Sequence, residues 1–222
     1  MNDLVVVGVG GLAKDVAFVV DEINRAHLEP LWNLLGFVIK DNVDVSDHTG
    51  RYSVALTEGE LVGLEKMIDV AIGIGTPGIV RAVAAKLQEY SHIRFPNIIH
   101  PNVVMDHERV VLGEGNVICA GNCFTTDIAA GSFNYFNIGT TISHDVVIGD
   151  HNMFSPSVNI SGGVTVGSGC MIGTSAVVLP TLRIGDEAIV GAGAVVVRDV
   201  APGTTVVGIP AREIERKESL NG

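Results

Sequence analysis

The sequence predicts two architectures in series: a small parallel α/β domain, then a triangular solenoid of short β-strands. Three observations carry this reading. Strands alternate with helical stripes over the first half, an apolar residue stands at every sixth position from Leu112, and a glycine stands at every eighteenth from Gly113. In the first half Leu4-Val5-Val6-Val7 reads as a buried strand and Gly8 to Gly11 as a turn. Ala13 to Ile23 then carries Val16, Val19, Val20 and Ile23 on one helical stripe. A second strand over Leu34 to Ile39 follows the loop containing Pro30. A polar loop through Asp41 to Tyr52, a short helix around Glu58 to Leu64 and a third strand Ile68 to Ile74 come next. A helix Pro77 to Gln88, with Thr76 as its cap, and a strand near Ile93 to Ile99 complete the set. Strands separated by helices imply a parallel sheet.

From Leu112 the period changes. Stepping by six gives Leu112, Ile118, Phe124, Ala130, Phe136, Ile142, Ile148, Phe154, Ile160, Val166, Ile172, Val178, Ile184, Val190 and Val196, all apolar. At the chain's apolar content of 47%, chance would give such a register roughly once in 10^5. Gly113, Gly131, Gly149, Gly167, Gly185 and Gly203 follow every third step, so three hexapeptides make one coil. A strand that buries one residue, turns a corner and repeats three times closes a triangle whose backbone pairs with the coils above and below. Leu112 to Gly203 spans about five coils, a prism on the order of 25 Å long at the spacing of paired strands. Its ends need covers. The α/β domain is expected to close one end, and the charged tail after Pro210, as a helix, the other.

Composition narrows the function. Fourteen basic against twenty-five acidic residues give a formal charge of -11, which disfavours nucleic acid or an anionic membrane as partner. No apolar run approaches the roughly eighteen residues of a spanning helix. Met1-Asn2-Asp3 lacks the basic region of an export signal, so a cytoplasmic location is expected. Cys119, Cys123 and Cys170 form no C-x-x-C pair and read as packed free thiols.

The runs Ile142-Ser-His-Asp-Val-Val-Ile-Gly-Asp150 and Val197-Arg-Asp-Val-Ala-Pro-Gly-Thr-Thr-Val-Val-Gly-Ile-Pro-Ala-Arg212 resemble the hexapeptide-repeat acyltransferases. The whole layout is similar to their sialic acid O-acetyltransferase and nucleotide-linked amino-sugar N-acetyltransferase branch. The resemblance implies a Rossmann-like α/β domain over residues 1–100 that binds the acceptor, a left-handed parallel β-helix over 101–210 that binds acetyl-CoA, and a tail over 211–222. It also implies a homotrimer with its sites between subunits, a sugar acceptor, no metal and a role in surface glycan biosynthesis.

Within that resemblance His144 is the general base, since an attacking amine or hydroxyl must lose a proton and imidazole titrates near working pH. Asp145 would orient the ring. A turn histidine that merely bonds a carbonyl is the competing reading. Asn137 matches an asparagine near the reacting groups, although an internal asparagine ladder is the alternative there. Asn134 and Asn152 are expected in such a ladder. Met153 stands where related enzymes present a second histidine, and His151 is not promoted to replace it.

The resemblance places acetyl-CoA against Gly162, Gly173, Thr174, Gly191, Ala192, Gly208 and Pro210, with Arg198 and Arg212 for its phosphates. For the acceptor, Gly8-Val9-Gly10-Gly11-Leu12-Ala13 matches G-x-G-x-x-A between a strand and a helix, a setting suited to a phosphate or a base. Gly8, Gly10, Gly11, Leu12, Lys40 and Asp41 are the candidate contacts. Leu12 replaces the family's usual histidine, and Val38-Ile39-Lys40-Asp41 replaces its aspartate pair, so a different sugar carrier or another pose is expected. The reading is direct acetyl transfer to an amino group of a sugar. Its alternatives are O-acetylation of a sialic-acid-like sugar, a dinucleotide-dependent enzyme built on the Gly-rich turn, and a non-catalytic or metal-binding β-helix.

Overall fold

The computed structural model describes residues 1–42 and 51–214. β1 (Asn2–Val7), α1 (Gly11–Ala26), β2 (Trp32–Ile39), β3 (Val54–Thr57), α2 (Glu58–Val62), β4 (Ile68–Ile72), α3 (Pro77–Leu87) and β5 (Ile93–Arg94) come first. The five strands form one parallel sheet in the order β3-β2-β1-β4-β5. Leu4 to Val7 and all of β4 are buried, as strands covered on both faces must be. Helix α1 turns Ala13, Val16, Ala17, Val19, Val20 and Ile23 into the core.

Several local expectations change. β3 was not anticipated, being four residues beside a polar loop whose residues 43–50 lie outside the described chain. The strand expected near Ile93 to Ile99 is two strands, because the chain leaves the α/β sheet at Phe95-Pro96 and enters the solenoid at Ile98–Ile99. Proline has no N–H for a ladder, which explains the break. The Thr76 side chain makes no cap bond; it is Thr57 that caps a helix, in a reciprocal capping box with Glu60 ahead of α2.

The solenoid is a left-handed parallel β-helix. Its first face contains Ile98–Ile99 and then Val117–Ile118, Tyr135–Phe136, Met153–Phe154, Met171–Ile172 and Ile189–Val190. Its second face contains Val104–Met105, Cys123–Phe124, Thr141–Ile142, Asn159–Ile160, Val177–Val178 and Val195–Val196. The third runs from Val110–Leu112 to Arg183–Ile184. The prism therefore begins two strands before Leu112, in the same coil. Of the fifteen apolar residues at period six, Leu112 is partly buried and the other fourteen are buried in one core, each aromatic or branched one contributing about 1.5–3 kcal/mol.

Corners obey the same period. Positions 115, 121, 127 and onward by six to 193 all have positive φ, whether glycine, as at Gly139 and Gly163, or not, as at Asp127, Asp145, His151 and Ser157. A second inward row stands two residues before the apolar one. Asn134 and Asn152 form the expected ladder in it, joined by Asn116: each Oδ1 accepts the backbone N–H eighteen residues on, from Asn134 at 2.9 Å, Asn152 at 2.9 Å and Cys170 at 2.7 Å. The Cys170 thiol continues the row by donating to the Gly185 carbonyl at 3.1 Å.

The glycine column from Gly113 to Gly185 is where coils approach most closely. A Cβ at Gly149 would collide with Ser168 Oγ and stand 2.9 Å from both the carbonyl carbon and oxygen of Gly167. Gly203 does not belong to this column. Ile189 pairs with Thr205 and Ile184 bridges Val200, a step of sixteen, so the last coil is two residues short and Gly203 is a left-handed corner at φ 69°.

Two expectations about the prism's ends are corrected. The α/β domain lies along a flank: α1 packs on Val117, Tyr135 and Met153, the outward residues of three successive coils. Arg81 on α3 pairs with Glu187 at 3.0 Å further along the same edge. The outward apolar row on the first face is the surface the domain buries. In the tail, Arg212–Ile214 is a strand antiparallel to Thr205–Val207, and residues 215–222 lie outside the described chain. Among the described residues no helix is long and apolar enough to cross a membrane.

At the docked edge His151 stacks on Phe133, ring centroids 5.6 Å apart. Burial holds its imidazole below the ordinary histidine value, with Arg81 adding to this and Asp150 opposing it. A depressed folded value means stability that is present above the unfolded pKa and lost as pH falls through the folded one. The urea midpoint of the wild type is therefore expected to fall between about pH 7.5 and about pH 5, and that fall should shrink in His151→Asn, whose side chain suits a left-handed corner. For the glycine column, Gly149→Ala is expected to cost about 1–3 kcal/mol by urea unfolding. Gly78→Ala, where a Cβ meets nothing within 4 Å, should be neutral or stabilising.

Candidate active site

The three edges of the prism differ in chemistry. On the second edge, between second and third faces, the chain leaves Thr141–Ile142 and turns at Asp145, a left-handed corner with φ 59°. This places the Asp145 carboxylate beside the preceding side chain, and His144 Nδ1 lies 2.7 Å from Asp145 Oδ2. Both side chains are about two-thirds exposed. A carboxylate only accepts, so the ring proton sits on Nδ1 and Nε2 carries the lone pair. One coil later Gly162 lies under the imidazole: a Cβ there would stand 2.5 Å from His144 Cε1 and 2.7 Å from Nε2. The backbone is locked in place around it, with the Gly163 N–H donating to the His144 carbonyl at 2.9 Å. Arg198 falls on the same row, three coils after His144.

The first edge, between first and second faces, carries Asn137, Gly173, Thr174, Gly191 and Ala192. Asn137 is buried, its Oδ1 accepting the Ile138 N–H at 2.8 Å, and its Nδ2 has no hydrogen-bond partner among the described residues. It stands outside the internal ladder. Gly173 is required by coil packing, since a Cβ would lie 2.5 Å from the Ala192 nitrogen. Thr174 and Ala192 are exposed. The turn from Gly208 to Ala211 closes over the last strand of the second face, where Val195 N–H donates to the Gly208 carbonyl at 3.0 Å and Ala211 N–H to that of Val195 at 2.7 Å. Arg198 and Arg212 meet around a cleft of about 260 Å³ at this end of the prism, together with Asp199, Thr204 and Glu213.

Asn137 and His144 flank opposite ends of the strand Thr141–Ile142. One face of the prism thus separates them within a chain, and no hydrogen bond joins them.

In the α/β domain a cleft of about 210 Å³ opens at the carboxyl ends of β1, β2 and β4, lined by Gly8, Val9, Ile39, Lys40, Glu58 and Ile74 among others. Such an end, where the chain crosses from one side of the sheet to the other, is the binding crevice of open parallel sheets. Gly8 has φ 111° and a Cβ there would stand 3.0 Å from the Gly73 carbonyl oxygen. Gly10 and Gly11 stand in open space at the start of α1. Leu12 packs on Gly75 and Asp41 accepts the Gly59 N–H at 3.2 Å; neither is among the residues that line this cleft. Sequence reasoning missed Glu58, which pairs with Lys86 at 2.7 Å; its place in a capping sequence was the available signal.

Burial pushes the thiols of Cys119 and Cys170 up to about 11, leaving little thiolate near neutral pH.

Residues 163–198 match the family model described as bacterial transferase hexapeptide (six repeats). No curated protein sequence matches the chain. Among solved structures the chain is 28% identical to PerB from Caulobacter crescentus, solved with CoA and GDP-perosamine, at a TM-score of 0.84 over 97% of this chain and 98% of that one. WeeI from Acinetobacter baumannii AYE is also 28% identical, with a TM-score of 0.84 over 96% and 100% of the two chains. The acetyltransferase domain of PglB from Neisseria gonorrhoeae FA1090, solved with acetyl coenzyme A, is 25% identical, with a TM-score of 0.85 over 96% and 100%. The hexapeptide repeat, the left-handed β-helix and this end-to-end likeness are what the chain shares with the hexapeptide-repeat transferases and with these acetyltransferase structures.

Proposed function

We propose that this acetyltransferase moves the acetyl group of acetyl-CoA directly onto an amino group of a nucleotide-linked sugar, with His144 as the general base. The observation that carries the reading is the His144–Asp145 pair: an exposed imidazole whose proton is tied to a carboxylate at 2.7 Å, leaving Nε2 free to accept. The amine attacks the thioester carbonyl, a C–N bond forms, and the C–S bond breaks. The proton lost by nitrogen passes to Nε2 and leaves with the CoA thiol. Asp145 stabilises the imidazolium formed on the way. The Gly162 N–H, one coil on from the ring, is a candidate donor for the oxyanion. The burial of Cys119 and Cys170 argues against either of them as an acyl carrier.

The remaining roles follow from the edges. The small residues Gly173, Thr174, Gly191 and Ala192 line a strip on which a pantetheine arm can approach backbone groups, and Arg198 and Arg212 stand where phosphates would end. Because the first and second edges of one chain lie a face apart, the reading requires a homotrimer in which one subunit's first edge faces its neighbour's second edge, a heterologous contact closed by three-fold rotation. Asn137 Nδ2 would then reach the reacting groups from the neighbour's side. The Rossmann-like α/β domain holds the sugar carrier in the cleft lined by Gly8 and Lys40. The reaction belongs in the cytoplasm, as a step of surface glycan assembly.

The test is thiol release from acetyl-CoA with a panel of GDP-, UDP- and dTDP-linked amino sugars and free sialic acids. One amino sugar is expected to turn over, and His144→Ala to lower the rate about 10²- to 10⁴-fold. Turnover of a free sialic acid alone would replace the amine by a hydroxyl, and full activity in His144→Ala would remove the base.

A further inference from the structure

Glycines along the solenoid are explained by one of two demands. Some are left-handed corners, as at Gly139, Gly163 and Gly193. Others lie where the next coil's backbone approaches, as at Gly149 and Gly173. Gly162 meets neither demand. Its φ lies outside the left-handed region, and the three atoms nearest an added Cβ all belong to one side chain: His144 Cε1 at 2.5 Å, Nε2 at 2.7 Å and Nδ1 at 3.1 Å. A real Cβ essentially never comes so close, so the imidazole occupies the volume that any other residue at 162 would fill.

We propose that Gly162 is a positioning residue for the base, its missing side chain forming the seat on which the His144 ring lies. The inference rests on the reading of His144 as the base. Asp145 holds one edge of the ring through Nδ1, and a single hydrogen bond leaves the ring free to swing about it. Contact with the Gly162 backbone removes that freedom and sets the direction of the Nε2 lone pair. Asp145 is fixed by its corner and Gly162 by the coil beneath, so neither support depends on a bound substrate. The base is pre-aimed.

Gly162→Ala tests this cleanly because the clash falls on a mobile side chain and not on backbone. The coil is expected to fold with an unchanged thermal midpoint while the ring is driven off its seat. In ¹H–¹⁵N spectra of the ligand-free protein, the His144 imidazole signals should shift and the Nδ1 proton bound to Asp145 should exchange faster. With whichever panel sugar the wild type acetylates, kcat should fall about 10- to 100-fold, as misplacement by about 1 Å does, with the KM for acetyl-CoA within about twofold. Combining Gly162→Ala with His144→Ala should be no slower than His144→Ala alone. Unmoved His144 signals, or a raised KM for acetyl-CoA at unchanged kcat, would overturn the seat and leave Gly162 as a cofactor contact. Full turnover by His144→Ala together with displaced ring signals would instead sink the base and leave the seat standing.

Discussion

Parallel stacking of coils in register is the constraint on which everything else in the β-helix depends. Between the two end coils, strand pairing joins a residue to those eighteen positions before and after it, as Thr141 to Cys123 and Asn159, so a residue's neighbours are settled by its row. Each backbone N–H on a face donates to the coil beside it, which makes the row a hydrogen-bonded column as well as a geometric one. The cost falls on the corners, where non-glycine residues such as Asp127, Asp145 and Thr181 adopt left-handed backbone, at roughly 1–2 kcal/mol each. The apolar column inside the prism and the Asn116–Asn134–Asn152 ladder offset it.

Row identity also divides labour among the edges. The third edge, with Phe133, His151 and Glu187, docks the α/β domain. The second carries His144 and Asp145 over Gly162. The first combines Asn137 with a run of small residues. A rigid prism holds these rows a fixed distance apart, which keeps the His144–Asp145 pair over Gly162, and it also forbids one chain from folding its first edge onto its second. The same rigidity that orients His144 is what makes a second copy necessary to complete the proposed site.

Much of this was legible. Period six from Leu112 is a repeat too long to be chance, whereas the His144–Asp145 pair was singled out through the family resemblance, since a histidine before an acid at a turn can equally well do no more than bond a carbonyl. The flank docking was not read, although Val117, Tyr135 and Met153 form an apolar row at spacing eighteen; outward rows become informative only once the inward ones are known. The Asn ladder continues into Cys170, a change of residue type that hides the row from a hydropathy pattern. The shortened last coil is a register effect that no residue announces. In the α/β domain, Pro96 marked the division between β5 and the solenoid and was passed over. Leu12 and Asp41 follow packing demands of Gly75 and Gly59 that lie outside their own motifs.

The central claim is that acetyl transfer takes place between two copies of the chain, with a first edge from one and a second edge from the other. Co-expressing His144→Ala with Ala192→Trp, which blocks the exposed small-residue strip on the first edge, tests it directly. Each variant alone is expected to be nearly inactive. In trimers assembled at random from both, about a quarter of the sites should pair an intact His144 with an intact strip, and the mixture should recover about that share of wild-type turnover. Recovery of none of the activity, with mixed trimers demonstrated by tag pull-down, would put the whole site within a single chain and contradict the account.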